Sequence, residues 1–317
     1  MNARERINSG GILIVGTGAL ATLFAARLAR AGLPITVLGR WPAGVRALRE
    51  AGARLVDASG NEERYAVAVA DDPMDCRGSR YALVLVKSWQ TERAGRDLAA
   101  CLTADGLALT LQNGFGNREA LAARLGADRV LLGSTTTGAT LLGPGLVKPG
   151  GEGKVSIEAH AGSNFLRQAL ESAGFKTEIV EDATSLVWGK LVINSAINPL
   201  TALLRVPNGQ LLERPAARAL MHALAKETAA VASAESVALA PREAVRTVEN
   251  VALRTASNHS SMLQDVQRGA QTEIDAICGA VTRVGKRHHI ATPMNQACWH
   301  LVKALTESPR GRPSPRA

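Results

Sequence analysis

The run ILIVGTGALATLFAARLARAG, Ile12 to Gly32, constrains the fold more than any other stretch of the chain. Four aliphatic residues lead directly into Gly16-Thr17-Gly18, and an apolar helical pattern begins at once afterwards. A strand that stops and re-enters a helix so abruptly needs a tight turn, which Gly16 permits. Gly18 removes the side chain that would block close approach to the backbone, and the free N–H groups of the following helix attract negative charge. The third glycine position of such turns holds Ala21, small enough to keep helix and strand close. Strand, turn and helix in this order match the demands of a dinucleotide pyrophosphate.

The rest of the first half supports a sheet built for that purpose. Apolar runs at Gly11–Val15, Ile35–Leu38, Ala82–Val86 and Leu107–Leu111, with a further run at Val130–Ser134, alternate with helical stretches, as parallel βαβ units do. A glycine-rich stretch, Gly138 to Gly153, breaks the alternation. Val155–Ala159 and Thr177–Val180 then predict edge strands around a helix beginning near Asn164. From about Thr184 the pattern changes to long Ala- and Leu-rich helices without a convincing strand. The expected fold is therefore α/β, an N-terminal Rossmann-type doubly wound sheet with a C-terminal all-helical domain. The expected domains are 1–182, which binds the nucleotide, and 183–306, which binds the substrate, with the ligand between them and a basic Pro-rich disordered tail over 307–317.

Composition narrows the partners. Lys and Arg outnumber Asp and Glu by 37 to 28, which favours anionic ligands. Part of the excess lies in the tail, where Arg310, Arg312 and Arg316 alternate with Pro309, Pro313 and Pro315. No basic helix, RNP-like aromatic pattern or zinc-finger spacing occurs elsewhere, so nucleic acid is not an expected partner. Cys76, Cys101, Cys278 and Cys298 are widely separated and read as reduced thiols in a cytoplasmic protein, and the adjacent His288 and His289 make a poor metal site. MNARER before the apolar run resembles a signal peptide, but Gly16 and Gly18 break the run and Arg27 and Arg30 interrupt it. No membrane segment is expected, and the apolar helical half is compatible with a homodimer.

The end of the second predicted strand reads TVLGRW, with no acidic residue to hold a ribose 2′-hydroxyl. Arg40 stands there instead, where a guanidinium pairs with a 2′-phosphate, so NADPH is the expected cofactor over NADH. An exposed loop arginine is the competing reading.

In the helical half, VWGKLVINSAINPLTALL places Lys190, Asn194 and Asn198 four residues apart on an otherwise apolar helix. Steps of four advance a helix by about 40°, so these groups form one slowly drifting stripe. Further on, Ser261, Asp265, Gly269 and Glu273 repeat the same step, predicting a second helix with a hydroxyl and a carboxylate along one wall and Gly269 leaving room between them. Asp265 reads as structural, bonded to backbone or to Arg268.

Taken in order, GTGALA, VKSWQT, LTLQNGFGN, TTTGA, WGKLVINSAINPLTAL, PNGQL and NHSSMLQDVQRGAQTEID with ATPMN span nearly the whole chain. This series resembles the ketopantoate reductase (2-dehydropantoate 2-reductase) family, NADPH-dependent enzymes of pantothenate biosynthesis. The resemblance implies that Gly16, Thr17, Gly18, Ala19, Leu20 and Ala21 line the pyrophosphate, that Arg40 holds the 2′-phosphate, and that Lys87 and Gln90 help bind the cofactor. Asn113 would lie near nicotinamide and substrate, and Ala139 on the nicotinamide side. Lys190 matches the catalytic lysine, while Asn194, Asn198, Asn208, Asn258, Ser261 and Glu273 fall on substrate-pocket positions.

These residue types suit the chemistry. Reducing a 2-oxo acid needs a proton for the oxygen that becomes negative, and an ammonium supplies both the proton and the stabilising charge. Amides and a hydroxyl orient the carbonyl without burying another charge. Glu273 would accept the substrate's distal hydroxyl proton and hold Lys190; its competing reading is a surface carboxylate paired with an arginine. Two other functions fit the same residues, namely a related reductase of another 2-oxo acid and a non-catalytic NADPH-binding sensor. The Lys190–Glu273 pair argues against the sensor.

Overall fold

A computed structural model describes residues 11–307 and separates the chain into two compact units. The basic tail and the charged leader therefore lie outside the described residues, apart from Glu307 and the leader's junction at Gly11.

The first unit comprises the chain up to Gln112 together with Gly116–Ala183. In chain order its elements are β1 (Ile12–Val15), α1 (Ala19–Arg30), β2 (Ile35–Leu38), α2 (Pro42–Ala51), β3 (Ala53–Val56), β4 (Glu62–Tyr65), β5 (Ala68–Ala70) and β6 (Ser79–Val84). There follow α3 (Thr91–Cys101), β7 (Leu102–Thr110), α4 (Asn117–Leu125), β8 (Val130–Thr135), β9 (Ala139–Gly143), β10 (Leu146–Pro149), β11 (Lys154–Glu158), α5 (Ser163–Ser172) and β12 (Lys176–Val180). The main sheet has the order β12-β11-β8-β7-β6-β1-β2-β5. The six strands from β5 to β8 are all parallel, and β11 runs antiparallel to β8 with β12 parallel beside it. Reading outward from β5, the strands take the doubly wound order 3-2-1-4-5-6, with two reversed strands appended. The side chains of β1 alternate between two buried layers: Ile12 and Ile14 pack with Leu23, Phe24 and Leu28 of α1, whereas Leu13 and Val15 pack with Ala94 and Leu98 of α3. Burial on both faces is why these strands are apolar throughout.

The glycine-rich stretch read as a break is in fact paired structure. β9 and β10 form an antiparallel hairpin, and β10 runs parallel to β3, giving a second sheet of order β4-β3-β10-β9. Leu55 and Val147 of this sheet join the core on the α1 side. Strand β4 reads EERY and is largely exposed, so it carries no apolar period to betray it.

The second unit comprises Asn113–Phe115 and the chain from Thr184. Its described helices are α6 (Ala183–Leu204, of which the first residue belongs to the first unit), α7 (Gln210–Glu213), α8 (Pro215–Ala234), α9 (Pro241–Arg254), α10 (Ser261–Gln267), α11 (Cys278–Arg287) and α12 (Pro293–Thr306). Trp188, Leu191 and Leu200 of α6 pack with Leu224 of α8, Val248 of α9 and Val281 of α11. Pro199 sits inside α6 and has no N–H for the carbonyl of Ser195. The Cys278 thiol donates to that carbonyl at 3.8 Å instead. No described helix is long and apolar enough to cross a membrane.

Candidate active site

In the first unit, β1 ends in the turn at Gly16, whose φ of +129° lies in the left-handed region. A Cβ there would also stand 3.1 Å from the Leu85 carbonyl oxygen, a tight contact that adds to the strain any side chain would meet at this φ. Gly18 is exposed, and a Cβ on it would meet nothing within 4 Å. The space beside Gly18 at the start of α1 is thus open, as a helix N-terminus that receives an anion requires. Ala19 and Leu20 are partly buried, and Ala21 is fully buried in the helix–sheet core. The Thr17 side chain is buried too, leaving its backbone as the part able to face a ligand.

Arg40 follows β2, exposed, with Nη2 3.1 Å from Oδ1 of Asp97 on α3. The acidic partner was not anticipated, because Asp97 lies far along the chain on another helix. Lys87 caps and Gln90 ends a single 3₁₀ turn, Ser88–Gln90, after β6, and the Lys87 N–H donates to Gln90 Oε1 at 3.3 Å. A buried hydroxyl, that of Thr91, ties this turn to the next loop. It accepts from Gln112 Nε2 at 2.8 Å, and the Ser88 carbonyl and Asn117 Oδ1 lie 2.7 and 2.8 Å from it as acceptors for its single proton. Gln112 and Thr91 lie within the LTLQNGFGN and VKSWQT motifs, and the only sign of this bond in the sequence is a polar side chain beside each apolar strand end. Ala139 lies on β9, partly buried.

In the second unit, Lys190, Asn194 and Asn198 share α6 as their spacing predicts, and burial deepens along the stripe from the partly buried Lys190 and Asn194 to the buried Asn198. The second predicted stripe does not hold. Helix α10 ends at Gln267 because Gly269, at φ +64°, takes the left-handed position after its cap. The Gly269 N–H donates to Val266 O and the Ala270 N–H to Asp265 O, the paired bonds of a Schellman ending. Gly269 therefore terminates a helix and does not open a gap within one. Glu273 lies beyond it, in a turn, yet only 5% exposed. Asp265 is held by Arg268 Nη2 at 2.9 Å, consistent with a structural part.

Glu273 receives Asn113 Nδ2 on its Oε2 at 3.2 Å. The same turn accepts the Phe115 N–H on Ala276 O at 2.9 Å, and the Phe115 ring stands 4.8 Å from that of Trp188, two residues before Lys190. These contacts explain why Asn113–Phe115 pack with the helical unit although they follow a strand of the sheet. Desolvation lowers the Lys190 ammonium to about 8, and the Glu273 carboxylate offsets part of that fall. Lys190 is partly buried as a residue, and the cause of its lowered value is loss of hydration of the charged form.

Asn208 is buried: its Nδ2 donates to Thr255 Oγ1 at 2.9 Å and its backbone N–H to Asn258 O at 3.0 Å. Its Oδ1 is buried without a partner among the described residues. It therefore anchors the segment that carries Asn258, whose side chain is exposed, as is that of Ser261. Between them Ser260 caps α10, accepting from the Leu263 N–H at 3.1 Å, and its hydroxyl lies 2.7 Å from Thr201 Oγ1 on α6. A serine immediately before a helical run is an N-cap signal, and Ser260 fills that position.

A parallel sheet with an open glycine turn, joined to a helical unit that holds a desolvated lysine beside a buried glutamate, defines a Rossmann-type oxidoreductase. The family profile described as "Ketopantoate reductase PanE/ApbA" matches residues 12–162, and its C-terminal counterpart matches residues 182–306. The chain belongs to the ketopantoate reductase family. A 2-dehydropantoate 2-reductase of Halobacterium salinarum is 37% identical over 298 residues, 92% of this chain and 97% of that protein. Among solved structures, a PanE/ApbA family ketopantoate reductase from Ralstonia eutropha superimposes with a TM-score of 0.87 at 30% identity, covering 93% of this chain and 98% of that one. A D-mandelate dehydrogenase solved with NADH and anilino(oxo)acetate gives 0.88 at 25% identity with the same coverages.

Proposed function

We propose that the protein reduces 2-dehydropantoate to (R)-pantoate with NADPH, and that Lys190 donates the proton. The observation that carries this reading is the desolvated Lys190 coupled to buried Glu273, itself bonded by Asn113. The open turn from Gly16 to Ala21 would hold the pyrophosphate, Arg40 the 2′-phosphate, and Lys87, Gln90, Asn113 and Ala139 the remainder of the cofactor. When bound, the nicotinamide supplies hydride to the carbonyl carbon.

The chain supplies everything else the reaction needs. The Lys190 ammonium places positive charge and a proton at the carbonyl oxygen as negative charge develops there. Its pKa of about 8 leaves it mostly protonated near neutrality, yet a far better acid than an exposed lysine. Glu273 keeps the ammonium charged within a desolvated site and presents an acceptor to the substrate's distal hydroxyl. Asn194, Asn198, Asn258 and Ser261 offer neutral donors to the carboxylate and hydroxyl of the substrate, and Asn208 secures the segment that bears Asn258.

A second reading is favoured by the D-mandelate dehydrogenase similarity: reduction of a different 2-oxo acid, with NADH. Purified protein assayed with NADPH and with NADH against a panel of 2-oxo acids separates the two. The proposal expects the highest kcat/KM with ketopantoate and NADPH. Equal or faster turnover of an aromatic 2-oxo acid, or a preference for NADH, favours the second reading. Cofactor binding without turnover of any acid would point to a sensor.

A further inference from the structure

The first unit holds a cavity of about 660 Å³ whose wall includes three arginines, Arg40, Arg46 and Arg49, and two carboxylates, Glu50 and Asp71. It lies at the carboxyl end of β2, where an open sheet of this strand order receives ligands. Helix α2 forms one wall, because positions 42, 45, 46, 49 and 50 recur at three- and four-residue steps along one face.

The three guanidinium groups are not equivalent. Arg40 is bonded to Asp97 at 3.1 Å, and Arg49 to Asp71 at 3.0 Å. Hydrogen bonding and charge from Arg49, with a smaller contribution from Arg40, hold the Asp71 carboxyl below its ordinary range. Among the described residues the Arg46 side chain has no ion-pair or hydrogen-bond partner, so its five donors are uncommitted. A phosphomonoester carries about two negative charges at neutral pH. Arg40 alone, with its charge already shared with Asp97, does not balance such a group.

We propose that Arg46 is the second cation of a 2′-phosphate subsite, gripping the phosphate together with Arg40 and setting the preference for NADPH over NADH. This rests on the cofactor reading above. Arg49 serves the wall differently, neutralising Asp71 so that it does not repel the phosphate. Glu50, one turn beyond Arg46 on α2, remains as the opposing charge and moderates affinity.

The test measures dissociation constants of the full chain for NADPH and NADH, and for the fragments 2′,5′-ADP and 5′-AMP. Arg46→Gln should weaken NADPH and 2′,5′-ADP about tenfold, with NADH and 5′-AMP changed less than twofold. Glu50→Gln should tighten the phosphorylated pair only. Arg46→Gln that leaves the NADPH:NADH ratio intact, or weakens all four ligands alike, overturns the assignment. The two failures are distinguishable: a wild-type protein that does not prefer NADPH defeats the cofactor reading and the subsite together. A wild-type preference for NADPH that survives Arg46→Gln defeats the role of Arg46 alone.

Discussion

Replacing Glu273 by Gln tests the proposed pairing with Lys190 most sharply, because it removes a charge and keeps an acceptor for Asn113 Nδ2, now 3.2 Å from Oε2. In the wild type two opposing effects set the ammonium at about 8, desolvation lowering it and Glu273 raising it. Without the carboxylate only the lowering remains, so the midpoint must fall. An adjacent opposite charge typically accounts for about 1–3 pKa units. Taking the smaller value, the variant titrates near pH ~7. At pH ~7.5 the protonated fraction then drops from about three quarters to about one quarter, and well above pH ~9 the ratio approaches about tenfold. Below pH ~6 both proteins are almost fully protonated and the difference from this source vanishes. The assay is kcat/KM for ketopantoate from pH 5.5 to 9.5, which reports groups of the free enzyme. The wild type should lose activity on an alkaline limb centred near pH 8, and Glu273→Gln should move that limb to lower pH. A loss that is the same at every pH would mean that Glu273 acts on the substrate and not on Lys190. An unmoved limb, or one displaced upward, would refute the electrostatic reasoning.

Lys190→Ala should lower kcat by about 10²–10⁴ with nucleotide binding retained, as fluorescence titration would show; an undiminished rate removes Lys190 from the mechanism. Gly114→Ala should lower the thermal midpoint markedly, since φ is +88° and the new Cβ would stand 2.6 Å from both Cβ and O of Ala276; a midpoint within a degree of wild type would show that the turn yields freely. Burial raises the thiols of Cys76 and Cys101 to about 12 and that of Cys298 to about 11, and Cys278 rises as well. The unfolded chain therefore releases thiol protons first as pH climbs past 9, so this contribution to stability is intact below pH 9 and is lost progressively above it. Denaturant midpoints measured at pH 8, 9.5 and 10.5 should fall, and Cys101→Ala should make the fall shallower; a profile that stays flat or rises contradicts the linkage.

What the sequence reveals of this fold and site follows from which interactions are local. The parallel strands announce themselves because burial on both faces demands unbroken aliphatic runs, and Lys190, Asn194 and Asn198 because one helix face has a fixed step. The second sheet escapes that logic. Its strands β3 and β10 pair Arg54 with Leu146 across the intervening β-α-β segments, and its outer strand β4 is mostly solvated, so neither length nor alternation marks it. Glu273 is the more instructive case, because a four-residue spacing from Ser261 selects it for a geometry that it does not have. The series is severed at Gly269, where a left-handed residue ends α10, and the glutamate is carried into the unit by a turn. One bond that holds it there comes from Asn113, 160 residues earlier in the chain. Spacing along one element cannot encode a bond of that separation; only the docking of Gly114 and Phe115 on Ala276, where a Cβ at Gly114 would not fit, brings the amide within reach. The segment Asn113–Phe115 is thus a structural part of the helical unit, and the steric requirement at Gly114 and the bond from Asn113 to Glu273 are two consequences of one backbone path.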